Sequence, residues 1–94
     1  MTIVDQIATQ IIKEQEFVIG PLAWSEAGKV QGLHLNRQRG EAFISNGDPK
    51  NVVDKLVAQY ERLFGRASQE VCKEATASII AQMPRALVPA SLLA

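Results

Sequence analysis

The run Asn46-Gly47-Asp48-Pro49 constrains this chain more than any other four residues, because it forces a turn and starts a helix at a fixed place. Gly47 supplies turn freedom, Asp48 offers a carboxylate to the first unpaired helical amides, and Pro49, with no amide to lose, suits the first helical position. Downstream, Val52, Val53, Leu56, Val57, Tyr60, Leu63 and Phe64 recur every three or four residues, which predicts about four turns of amphipathic helix. Gly65 closes that helix. Ser68 is placed to cap a last one, carrying Val71, Cys72, Ala75, Ile79 and Met83 inward until Pro84 stops it.

Upstream the period differs. From Gly32 it is two: Leu33 to Asn36 and Glu41 to Ser45 flank the polar connection Arg37-Gln38-Arg39-Gly40, and Gly40 can take the positive φ that hairpin loops require. The spacing predicts a β-hairpin with Leu33 and Leu35 on one face and His34 and Asn36 on the other. At the N-terminus, Ile3, Val4, Ile7, Ala8, Ile11 and Ile12 form one stripe of a helix. Thr2 stands at its cap, with Asp5 at the reciprocal capping-box position. Phe17-Val18-Ile19 either prolongs this helix to Gly20 or forms a short buried strand, and the preceding charged run Lys13 to Glu16 tips the reading to the strand. Pro21 then opens a second helix, buried through Leu22, Ala23, Ala27 and Val30 and ending at Gly32. Trp24 falls at the border of that apolar stripe.

The order is α-(β)-α-β-hairpin-α-α, a helix-rich α+β fold. With 94 residues, 47% of them hydrophobic, the chain is expected to form a single compact domain, since one core of this size has no reason to split. The segment from Pro84 to Ala94 departs from the usual polar terminus: Ala86, Leu87, Val88, Leu92 and Leu93 are apolar and only Arg85 is charged. Such a tail is expected to dock, on its own domain or on a neighbour, because burying each Leu or Val gains about 1.5–3 kcal/mol.

Composition narrows function mainly by exclusion. One cysteine and one histidine furnish neither a disulfide nor a zinc ligand set. No phosphate-binding glycine loop occurs, no Ser, Cys or carboxylate is tied by any motif to His34, and the glutamates are spaced as solvated helix faces. No cofactor, metal or catalytic activity is expected. Ten basic and ten acidic residues cancel, so no overall field draws the chain to polyanions, and nucleic acid is disfavoured as a partner. The local exception is the hairpin tip, where Arg37 and Arg39 could touch phosphates as a basic ribbon. In the Leu63 to Val71 segment, Glu70 and Glu74 offset Arg66 and Lys73, so a DNA-reading helix is not favoured there. The chain carries neither a secretory signal nor an apolar run of bilayer length, which makes a cytoplasmic, non-membrane protein the expectation.

Small domains have thin stability margins, and apolar surface at the edges of this one points to self-association. The leading expectation is a small protein–protein interaction or adaptor domain, a homodimer or the partner of another protein, with contacts among Ile3, Ile7, Ile11, Trp24, Tyr60, Leu87, Leu92 and Leu93. The rival readings are a regulator that contacts nucleic acid through Arg37 and Arg39 and, more distantly, an accessory subunit of a larger enzyme.

Overall fold

The computed structural model describes residues 2–93 and shows a helix-rich α+β fold. Helices α1 (Ile3–Ile19) and α2 (Leu22–Ala27) precede the hairpin strands β1 (Leu33–Asn36) and β2 (Glu41–Ile44). Helices α3 (Pro49–Phe64) and α4 (Ala67–Ile80) follow, and two single 3₁₀ turns, Arg85–Leu87 and Ala90–Leu92, complete the chain.

The caps explain where α1 and α3 begin. Thr2 Oγ1 accepts the Asp5 amide at 3.1 Å while Asp5 Oδ2 accepts the Thr2 amide at 2.8 Å, a complete capping box. Asp48 Oδ1 accepts the Lys50 amide at 3.1 Å, and Pro49 follows as expected. Helix α4 departs from expectation. Its N-cap is Arg66, without a side-chain bond, and Ser68 lies buried inside the first turn. It also ends at Ile80, because the chain ahead of Pro84 tightens into i to i+3 bonds from Gln82 to Ile79 and from Met83 to Ile80. Helix α2 likewise stops early, at Ala27, and the following turns tuck Val30 into the core.

The expected strand at Phe17-Val18-Ile19 is corrected: these residues are the last turn of α1, which closes at Gly20 with φ 73°. Among the described residues strands β1 and β2 pair only with each other, so a strand here would have no ladder to join. Helical continuation instead places Ile19 on the stripe set by Ile12 and Gln15 and packs it against the core. Phe17 and Val18 are thereby turned outward.

The hairpin is antiparallel, with Leu35 opposite Ala42 and Leu33 opposite Ile44. Its inner face joins a core built from Ile7, Ala8, Ile11 and Ile12 of α1, Ala23 and Ala27 of α2, and Val52, Val53, Leu56, Val57 and Tyr60 of α3. Helix α1 also supplies the missing neighbour of β2. Thr9 Oγ1 accepts the Ala42 amide at 2.9 Å and donates to the Ala42 carbonyl at 3.0 Å, and Asp5 Oδ1 accepts the Ile44 amide at 2.8 Å. The spacing makes this possible: four helical residues rise about 6 Å and two strand residues about 6.7 Å, so side chains at i and i+4 meet alternate strand amides. Two polar side chains thus do for β2 what a third strand would, and its edge is closed to other chains.

The apolar tail docks on its own domain. Val88, Pro89 and Leu92 are buried, the second 3₁₀ turn rests on α3 and α4, and the Asp54 carboxylate accepts from both the Ser91 amide at 3.0 Å and the Ser91 hydroxyl at 2.6 Å. Gln69 Nε2 donates to the Ser91 carbonyl at 3.2 Å and fixes the other side.

Candidate interaction surface

The core claims most of the side chains that sequence reasoning assigned to an interface. Ile7, Ile11 and Tyr60 are fully enclosed, Trp24 retains 7% of its surface and Leu92 5%, so none of these five is free to meet another molecule. Tyr60 donates its hydroxyl to the Ala23 carbonyl at 2.7 Å, a polar end satisfied inside the domain, and burial pushes its ionisation well above the usual tyrosine range. Leu93 is half-buried against the core, and only Ile3 and Leu87 of the expected set are exposed. Ile7, Ile11, Trp24, Tyr60 and Leu92 are therefore corrected to core residues of the protomer, while Leu87 of the tail keeps an exposed side chain.

A different set of apolar side chains faces solvent. Phe17 is 87% exposed and Val18 64%, followed by Leu22 at 46% and Leu63 at 43%. Three hydrogen bonds tie the helices that carry them to their neighbours. Gln15 Nε2 donates to the Ser68 carbonyl at 3.1 Å, joining the C-terminal half of α1 to the first turn of α4. The Tyr60 bond to Ala23 joins the last turns of α3 to the start of α2, and Gln59 Nε2 donates to Glu26 Oε1 at 2.8 Å beside it. Phe17 and Val18 lie in the last turn of α1, Leu22 opens α2 and Leu63 lies in the last turn of α3, while Ile19 and Phe64 of the same turns are half-buried against the core. Isolated exposed apolar residues are ordinary; four at the ends of three adjoining helices are informative. Ile3, in the first turn of α1, lies at the opposite end of that helix.

The polar groups near the sequence-predicted basic tip are largely engaged. Arg39 Nε lies 3.3 Å from Glu41 Oε1, Arg37 Nη2 donates to Ser25 Oγ at 3.4 Å, and Lys29 pairs with Glu26 at 3.0 Å. The His34 ring packs on Phe43 with centroids 4.8 Å apart. An open cleft of about 300 Å³ lies between α1, α2 and the tip, lined by Lys13, Glu16, Pro21, Trp24, Arg37 and Gly40. Its carboxylate sits among its cations, which gives it no strong preference for an anion. Lys29 and Glu26 settle a further question: the Glu26 carboxyl is held below its usual range by hydrogen bonds from Lys29 and then Gln59, so it serves α2–α3 packing as an anion.

Cys72 is buried, and burial raises its thiol pKa to about 11 against the opposing hydrogen bond from Gln15 Nε2 at 3.5 Å. Among the described residues no group of three His, Cys, Asp or Glu side chains is arranged to hold a metal ion, and no helix is long and apolar enough to cross a membrane. No protein-family model, curated protein or solved structure matches the chain.

Proposed function

We propose that this chain is a non-catalytic protein–protein interaction module that docks through the exposed apolar side chains Phe17, Val18, Leu22 and Leu63. The observation that carries the reading is Phe17, an aromatic side chain left 87% exposed in a well-formed helical turn next to an equally uncommitted Val18. Aromatic residues at interface centres bury about 150–250 Å² each with few rotamers to lose, so an exposed Phe is a natural anchor. Trp24 and the tail act indirectly in this reading, by holding α2 and the α3–α4 hairpin in the geometry that presents these side chains.

The test is affinity capture from the native cell with the full chain and with Phe17→Asp plus Val18→Asp. Both positions are solvent-facing, so the variant is expected to keep its fold and to lose only roughly 0.6–2 kcal/mol from two carboxylates at the negative end of α1. Loss of the captured proteins supports the reading, whereas an unchanged captured set contradicts it.

A further inference from the structure

We infer that the cleft between the turns after α2 and the exposed face of α3 is a binding site for a small phosphate-bearing anion. Two stretches of chain build it. Lys55, Gln59 and Arg62 stand at i, i+4 and i+7 of α3, so they share one face of that helix and line the cleft. Opposite them, the Lys29 amide bonds to the Glu26 carbonyl and the Val30 amide to the Ala27 carbonyl, both at 3.1 Å. These turns bury Val30 and bring Lys29 and Gln31 to the same cleft, which encloses about 290 Å³. Small-ligand sites take about 300–1,000 Å³, so this one suits a single small ligand.

Charge sets the ligand class. The lining holds three cations, Lys29, Lys55 and Arg62, and no carboxylate, in a chain whose formal net charge is zero. Each of four other surface clefts is lined by at least one of Asp5, Glu16, Glu41, Asp48 and Asp54. The acid tied to the basic cleft is Glu26, whose side chain is only 9% exposed and is not part of the lining. Of the other acids on α3, Asp54 accepts from Ser91, and Glu61 lies about 100° round the helix from Arg62. Glu26 also fixes the lining. Its Oε2 accepts from Lys29 Nζ at 3.0 Å, its Oε1 accepts from Gln59 Nε2 at 2.8 Å, and Gln59 Oε1 accepts from Arg62 Nη2 at 2.9 Å. One buried carboxylate thereby holds two of the three cations in place before a ligand arrives, which lowers the ordering cost of binding. Lys55 has no ion-pair partner among the described residues and is left for the ligand. The planar fork of Arg62 matches two phosphate oxygens, and the two lysines add point charges. The inference uses none of Phe17, Val18, Leu22 and Leu63 and does not depend on the docking reading.

Isothermal titration calorimetry of the full chain with sodium diphosphate at low ionic strength tests it. Lys55→Gln and Arg62→Gln are separate variants, and Arg37→Gln plus Arg39→Gln is the control for general attraction to basic side chains. All these positions are exposed, so the fold is kept, which melting checks. The expected result is a single site with a dissociation constant below about 1 mM, raised about tenfold by Lys55→Gln or Arg62→Gln and raised also by sodium chloride, but unmoved in the control. No saturable binding in the millimolar range, or binding indifferent to Lys55→Gln and Arg62→Gln, overturns the inference. Vesicles of phosphatidylcholine with and without phosphatidic acid distinguish the source of the phosphate. Co-sedimentation that needs phosphatidic acid and Lys55, and that diphosphate displaces, places it on a lipid headgroup; diphosphate binding without co-sedimentation places it on a soluble molecule. A single-stranded oligonucleotide that binds through Lys55 and Arg62 while diphosphate does not would make the ligand a nucleic acid and overturn the inference.

Discussion

Replacing Thr9 by Val tests how α1 holds the hairpin. The side chains are nearly isosteric, so packing is kept while the hydroxyl is removed. That hydroxyl accepts from the Ala42 amide at 2.9 Å and donates to the Ala42 carbonyl at 3.0 Å, and both partners are buried. Without it, an N–H and a C=O lose their partner at a site closed to water, each at a cost of about 1–3 kcal/mol. The expected loss is therefore about 2–6 kcal/mol. For 94 residues the whole stability is expected at roughly 5–14 kcal/mol, so one oxygen atom accounts for a substantial part of it. Urea denaturation followed by circular dichroism measures the change, with Thr9→Ser as the control that keeps the hydroxyl. Thr9→Ser should lose about 1 kcal/mol, for one methyl group. If Thr9→Val came within 0.5 kcal/mol of the parent, about the scatter of a neutral surface change, the helix-to-strand bonding described here would not be contributing.

Other consequences can be checked alongside it. Gly32→Ala should lose at least about 2 kcal/mol in the same denaturation assay, because φ is 91° there and an added Cβ would overlap the Asn46 carbonyl oxygen. Burial works to raise the Asp5 pKa, but hydrogen bonds from the Ile44 and Thr2 amides and the Thr2 hydroxyl outweigh it and hold the carboxyl below its ordinary 3.8. Its contribution is therefore complete above that value and is lost as pH falls through the depressed one; urea midpoints of the parent should drop more steeply below pH 4 than those of Asp5→Asn. Cys72 runs the other way: its folded pKa of about 11 against an ordinary 9.0 means that stability is lost as pH climbs through that interval, and the thiol should resist a disulfide reagent at pH 8 until the protein is unfolded.

Local chemistry explains which parts of this architecture were legible in the sequence. Thr2 with Asp5, Asp48 with Pro49, and Gly40 and Gly65 each act within a few residues of themselves, so the caps of α1 and α3 and the hairpin loop followed from spacing alone, whereas the start of α4, placed at Ser68, did not. Phe17 to Ile19 was misread because its identity as helix or strand depends on a distant fact, the absence of a neighbouring strand to pair with. That error hid the surface: carried on as helix, the wheel puts Phe17 on the far side from Ile12 and Ile19, an outward aromatic that periodicity could have flagged. Trp24 and Leu92 were misjudged for the converse reason. Whether a border residue is covered depends on what packs over it, and that is settled by long-range contacts such as Tyr60 to Ala23 and Asp54 to Ser91, which no local pattern contains. Thr9 carries no local signal of its role, since its partner lies 33 positions away.

The most direct measurement of the central claim is a residue-by-residue map of amide chemical shifts as proteins captured from the native cell are added to the full chain. Changes centred on Phe17, Val18, Leu22 and Leu63 are expected. Changes centred on Arg37 and Arg39 or on the tail, or spectra that do not move at all, would contradict it.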